Sequence, residues 1–208
     1  VYRGGQVLLR GEPVSIPDVE TAIKLGLAYL PEDRKTLGLN LLDTISKTIV
    51  SANLGAVMRG GLLDPAEERR VAEEYRAKVG IKTPSVDVAV STLSGGNQQK
   101  SVIAKWMFAE PDILILDEPT RGIDVGAKYE IYQQMQSLAG EGKAIMMISS
   151  ELPELLGICD RIYAVCEGRI TGVVDSQDAD QESLMRLMTT LSQQTTAPPT
   201  DSEGNTTP

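Results

Sequence analysis

Two stretches of the sequence gather residues able to handle a polyanion and a proton. The first is "LSGGNQQK", residues 93–100. Ser94 offers a hydroxyl, and Gly95 and Gly96 let backbone N–H groups approach an anion with no Cβ in the way. Asn97, Gln98 and Gln99 then open a helix whose positive end points at the same anion. The plainer reading is a glycine-rich helix cap. The second stretch is "ILILDEP", residues 113–119, a continuous apolar run ending in Asp117 and Glu118. A strand buried on both faces delivers such acids to the carboxyl edge of a parallel sheet, where ligands of these folds bind. There Asp117 could hold a magnesium ion through water, and Glu118 could take a proton from an attacking water. Taken alone, the pair suits a strand end and turn equally well.

These residues need elements to position them. The spacing predicts two short strands around a Gly11-Glu12-Pro13 turn, then a helix ending near Gly26 and a strand from Leu27 to Leu30 stopped by Pro31. Ile45, Ile49 and Ala52 keep helical spacing. "LLDPAEERRVAEEYRAKVGI" reads as a helix with Asp64 as cap, Pro65 first, Glu67 completing a capping box and Val71, Tyr75 and Val79 on one face. The next helix opens at the glycine pair and stops before Pro111. After residues 113–117 come a helix with Ile131, Met135 and Leu138 inward, and "KAIMMISS" as a second buried strand. A short helix at "ELPELLGICD", a strand pair around Glu167-Gly168 and a last amphipathic helix at "QESLMRLMTTL" follow. Strands separated by helices mean an α/β fold with a mostly parallel sheet. The stretch from about 40 to 110, read without a strand, should form a helical lobe. From Ser192 onward the Gln, Thr, Pro and Ser composition reads as a disordered tail, 191–208, behind a domain spanning 1–190.

Bulk properties narrow the function classes. A length of 208 residues suits one α/β domain, and 41% apolar residues with 4% aromatics make its core mostly aliphatic. A net charge of −9 argues against a nucleic-acid partner or an anionic lipid surface. Cys159 and Cys166 fit no zinc or redox spacing and read as reduced thiols in or near a core. No apolar run approaches the ~18 residues of a membrane span, and no signal peptide is visible. The chain opens at Val1 inside what reads as a strand, as expected of a piece of a longer protein.

The order "LSGGNQQK", "ILILDEPTRGID", "IMMISSELPE" resembles the ATP-binding subunits of ABC transporters. The three match that family's signature motif, its Walker B strand with D-loop, and its switch segment. "SGGNQQK", "DEPTRGIDVGAK" and "SSELPE" look like the second nucleotide-binding domain of the double-domain ATPases of monosaccharide importers, those for ribose, galactose, xylose, arabinose or a related ligand. "YLPEDRKTLGL", 29–39, matches the segment around the Q-loop, and the resemblance runs from about 1 to 190. It implies an incomplete P-loop NTPase domain that uses ATP and Mg²⁺, with Glu118 catalytic and Asp117 on the metal. It also implies that Ser94, Gly95, Gly96, Asn97 and Gln98 meet the γ-phosphate of ATP held by an opposite domain, packed head to tail. Asp124 in "RGID" resembles the D-loop acid that crosses that interface, besides being a natural helix cap. The implied partners are a second nucleotide-binding domain, a membrane permease and, indirectly, a sugar-binding protein. The implied place is the cytoplasmic face of the membrane, reached through the permease. Arg34 and Lys35 could face acids of that permease, or simply be solvated surface charge.

Three departures qualify the resemblance. No G-x-x-x-x-G-K-[ST] loop is present; its strand is expected beside residues 113–117 in the sheet centre. The Q-loop glutamine is replaced by Glu32, which donates no hydrogen bond when ionised. The switch histidine is replaced by Ser150 in a chain with no histidine at all. Two other classes compete with the importer ATPase: a degenerate interaction module without turnover, and a non-transport ABC ATPase of the DNA-repair or ribosome-binding type. The second should show a coiled-coil insertion, a basic surface and a retained histidine, none of which this sequence has. Without the phosphate loop's nest of donors and its lysine, the 208-residue polypeptide should neither bind ATP tightly nor hydrolyse it. Calorimetric titration with Mg-ATP checks this; micromolar affinity would refute it.

Overall fold

The computed structural model describes residues 4–189; the expected tail at 191–208 lies outside them. The first pairing is a hairpin of β1 (Val7–Leu9) and β2 (Glu12–Val14). Its turn is Arg10-Gly11, both at positive φ (53° and 85°), the geometry that suits strand twist in a two-residue loop. The expected Gly11-Glu12-Pro13 turn is therefore corrected by one residue. Pro13 lies within β2 opposite Leu8, between the pairs Leu9–Glu12 and Val7–Val14, so its missing N–H interrupts no ladder bond. Helix α1 (Val19–Lys24) is capped by Asp18, which accepts from the Thr21 N–H at 2.8 Å. Gly26, at φ 76°, turns the chain into β3 (Leu27–Leu30).

The lobe contains α2 (Ile45–Val50), β4 (Met58–Arg59), β5 (Leu62–Leu63), α3 (Pro65–Val79) and α4 (Gly95–Phe108). It is not free of strands: β4 and β5 form a minimal hairpin around Gly60-Gly61, both at positive φ. Asp64 caps α3 as expected, but the capping box does not form. Glu67 turns to Arg70, and the Asp64 N–H is taken by the Val57 carbonyl at 2.9 Å. Gly80, in the left-handed region, closes α3 as its own and the Ile81 N–H return to carbonyls of the last turn. Ile45, Ile49, Val71, Ala72, Val79, Val102 and Ile103 are buried among α2, α3 and α4. Tyr75 and Phe108 meet edge to face, with centroids 5.5 Å apart.

Next come β6 (Ile113–Asp117), α5 (Val125–Gly140) and β7 (Ala144–Ile148). The sheet is parallel with order β3-β6-β7. Both edges of β6 are thus filled, so the phosphate-loop strand expected beside it has no place there; β3 and β7 are the edges among the described residues. Helix α4 packs on β3 and α5 on β7. Ala28, Leu30, Leu114 and Leu116 are buried on one face, each leucine worth roughly 1.5–3 kcal/mol. The expectation that β7 is buried on both faces is also corrected. Its alternate residues Met146 and Ile148 are 57% and 46% exposed, on the face that also carries Tyr29.

Contacts divide the chain into two compact units, Val1–Ser150 and Glu151–Pro208. The second contains α6 (Leu152–Ile158), an antiparallel pair β8 (Arg161–Cys166) and β9 (Arg169–Asp175), and α7 (Gln181–Thr189). Glu167 and Gly168 make the expected turn, both at positive φ. Here a reciprocal capping pair does form: Asp180 accepts from the Ser183 N–H at 2.7 Å, and the Ser183 hydroxyl accepts from the Asp180 N–H at 3.0 Å. Cys159 and Cys166 are free and half-buried. Among the described residues, no helix is long and apolar enough to cross a membrane.

Lys100 joins three helices of the first unit. Its side chain is 3% exposed, and its ammonium bonds the Gly80 carbonyl at the end of α3 (2.8 Å) and Glu130 on α5. The Lys100 bond, opposed by partial burial, holds the Glu130 carboxyl below the usual range. That stabilisation is present above the ordinary value of 4.5 and is lost as pH falls through the lowered one. Lys100→Met should cost about 1–3 kcal/mol near neutrality by removing the donor to the Gly80 carbonyl and the charged partner of Glu130. Urea denaturation should show the gap to the parent narrowing at pH 3.

Candidate functional site

Asp117 and Glu118 stand at the carboxyl end of β6 and turn apart. Asp117 pairs with Ile148 in register, and its Oδ2 accepts from the Tyr29 hydroxyl at 2.8 Å. That bond to a carboxylate raises the Tyr29 phenol pKa, with burial adding to it. The Glu118 N–H donates to the Ile148 carbonyl at 2.9 Å. Its φ of 46° lies in the left-handed region, an uncommon state for a glutamate and one retained where the surroundings impose it. The Glu118 Oε1 then accepts from the Ser150 N–H at 2.9 Å. The position matching the switch histidine thus touches the acid through its backbone. Among the described residues no group of three His, Cys, Asp or Glu could hold a metal. A magnesium ion needs fewer protein ligands, since it keeps several waters and takes phosphate oxygens beside one or two carboxylates. Asp117, with one oxygen on Tyr29, fits that requirement.

The glycine turn lies at the head of α4. Ser94 is exposed and caps the helix; its Oγ accepts from the Asn97 N–H at 3.4 Å and from the Asn97 amide at 3.1 Å. The N–H groups of Gly95 and Gly96 are among the four that a helix leaves without an internal carbonyl. The other two expected contacts look inward. Asn97 Oδ1 accepts from the Lys82 N–H at 2.9 Å. Gln98 is 6% exposed, and its amide donates to the Val90 and Leu93 carbonyls at 3.4 and 3.3 Å. Its side chain therefore holds the preceding turn from behind and does not face a phosphate.

The glycines also have a packing reason. A Cβ on Gly96 would lie 2.7 Å from the Ala127 Cβ, and one on Gly95 would lie 3.4 Å from the Gly122 carbonyl and 2.8 Å from Arg34 Nη2. Asp124 caps α5, accepting from the Ala127 N–H at 2.9 Å; that bond holds its carboxyl below the usual range. Glu32 forms an ion pair with Arg121, and Arg34 Nη1 donates to the Arg121 carbonyl at 3.1 Å. Arg34 is half-buried and turns its guanidinium toward the Arg121 carbonyl and Gly95. Among the described residues the acids and the glycine turn are linked through this 118–124 loop.

Tyr29, Arg34 and Arg121 were not assigned to the site from sequence. A signal existed for Tyr29: it is one residue short of the end of a parallel strand, opposite Ile115, so it shares a face with Asp117 two positions on. Arg34 and Arg121 gave none, since their partners are about ninety residues away.

Residues 2–121 match the family model described as ABC transporter. The chain belongs to that family. This ABC transporter chain is 57% identical over 185 residues to the L-arabinose transport ATP-binding protein AraG of Geobacillus stearothermophilus, covering 89% of this chain and 36% of that one. It is 47% identical to the ribose import ATP-binding protein RbsA of Clostridium perfringens, covering 88% and 37%. The ABC chain therefore spans a little over a third of the length of these relatives. Its fold is similar to the dimeric post-hydrolysis state of the ATP-binding cassette MJ0796 bound to ADP and Pi: TM-score 0.69, 20% identity, covering 84% of this chain and 74% of that one.

Gly96→Ala tests the close approach of α4 to α5 in this ABC domain. The overlap should cost about 1–3 kcal/mol, which outweighs the gain of at most about 1 kcal/mol that alanine has over glycine in a helix. Adding Ala127→Gly should recover most of the loss in urea denaturation.

Proposed function

We propose that this chain is part of the ATP-hydrolysing component of a monosaccharide importer. The names of its relatives support the transport class. One observation carries the catalytic reading: Glu118 is held at a left-handed φ, directly after Asp117, with its carboxylate fixed by the Ser150 N–H. A carboxylate so fixed at a sheet's carboxyl end is placed to orient and deprotonate water. Asp117 is the residue that would hold magnesium, which supplies positive charge to phosphate oxygens.

The exposed Ser94, and the Gly95 and Gly96 N–H groups that the helix leaves without an internal carbonyl, support the second part of the reading. They meet the γ-phosphate of ATP bound by an opposite nucleotide-binding domain in a head-to-tail sandwich. In this proposal Asn97 and Gln98 shape the turn and do not contact the nucleotide. Asp124 lies beside Gly96, on the surface that would meet that domain. The permease, the indirect sugar-binding protein and the cytoplasmic membrane face follow from the same importer reading. A second reading, a domain that completes its neighbour's site without turnover of its own, is favoured by the missing histidine at Ser150.

Glu118→Gln in the full-length protein separates the two. The substitution keeps the Cβ and its backbone strain but removes the base. Loss of turnover by tenfold or more with ATP binding retained is the expected result. Unchanged turnover points to the passive domain.

A further inference from the structure

The segment after β3 packs against the glycine turn and the acid-bearing loop together. Asp33 opens one wide helical turn, Arg34–Gly38, by accepting from the Lys35 and Thr36 N–H groups at 3.0 and 3.3 Å. Arg34, the first residue of that turn, is half-buried. Its Nη1 bonds the Arg121 carbonyl, and its Nη2 lies against Gly95 so closely that a Cβ there would come within 2.8 Å. Its Nε is buried without a hydrogen-bond partner among the described residues, which leaves the guanidinium held by this geometry alone. From the other side Glu32 pairs with the Arg121 guanidinium. Farther along, the Gly38 carbonyl accepts from Lys105 of α4 at 3.3 Å. The 32–38 segment thus bonds α4 at Gly38, packs on it at Gly95, and holds Arg121 of the 118–124 loop by both carbonyl and side chain.

We propose that Glu32, Arg121 and Arg34 form a clasp that positions the Ser94–Gly95 turn, so that displacement of the 32–38 segment changes how the turn meets its anion. They are positioning residues; none is assigned a contact with the nucleotide. The inference rests on the reading that this turn holds a phosphate. It gives Glu32 a role that a glutamine cannot fill: a full negative charge opposite Arg121. It also sets a scale. The two side chains are 48% and 65% exposed, so the ion pair is of the weak, salt-sensitive kind, and its loss is a matter of a few-fold and not of orders of magnitude.

The test measures ATPase rate against ATP concentration in the full-length protein for E32Q, R121Q, the exchanged pair E32R/R121E, and S94A. At low salt E32Q and R121Q should each raise KM for ATP about two- to fivefold, with kcat within about twofold and Tm unchanged. The effect should vanish near ~1 M salt. The exchanged pair should return KM to within about twofold of the parent, which a purely local structural loss would not do. An E32Q protein with an unchanged or lower KM overturns the clasp, as does a change confined to kcat, which would mark Glu32 as a contact of the reacting water or metal. An exchanged pair as impaired as the single variants also overturns it. If S94A raises KM while E32Q and R121Q do not, the clasp fails and the phosphate reading stands. If S94A leaves KM unchanged, both fail.

Discussion

The glycine head of helix α4 comes so close to Ala127 of α5 and to the Gly122 carbonyl that a Cβ there would overlap or crowd them, and the arrangement of the first unit follows from that approach. With no Cβ at Gly95 or Gly96, Ala127 and the Gly122 carbonyl can close on the helix head. Ser94 is then left at the surface, and Asp124 beside it. The same approach brings Lys100 within reach of Glu130 one turn later. A side chain at either glycine would move the helix head, the loop and the ion pair together, because one rigid helix carries all three.

Polar groups divide their labour around this contact. Asn97 and Gln98 satisfy backbone groups of the 82–93 region, so the turn keeps its shape without help from a ligand. The Gly95 and Gly96 N–H groups, at the helix head, have no internal carbonyl to meet. At the sheet end the division is similar. Tyr29 and the Ser150 N–H each fix one acid through a single oxygen. A preorganised site of this type loses little to reorganisation when charge develops in it.

Much of this plan was legible in the sequence. The run ILILD ends in Asp117, with Glu118 next, and is flanked by helical spacing; it proved to be the central strand of a parallel sheet. Asp64 and Asp124 could be named as caps because each stands just before a periodic segment, whereas Ser94, also a cap, reads in the sequence only as a hydroxyl ahead of a glycine turn. What escaped depends on contacts between distant residues or on elements too short to show a period. Two residues per strand leave nothing to alternate in β4 and β5, although Gly60-Gly61 marked the turn. The amide of Gln98 is chemically the same whether it faces a ligand or a core, and only packing decides. The apolar AIMMI run was read as covered on both faces, since a string of apolar residues cannot report which side is clothed. Glu32 and Arg121 form a pair only because the fold brings residue 32 to residue 121.

The bare side of the parallel sheet has a practical consequence. Strand β7 offers a rim of unsatisfied peptide groups among the described residues, together with an oily row at Met146 and Ile148. A surface of that kind acts as a docking strip for any extended segment with matching alternation. Handled by itself, this polypeptide should therefore tend to stick to copies of itself through that strip.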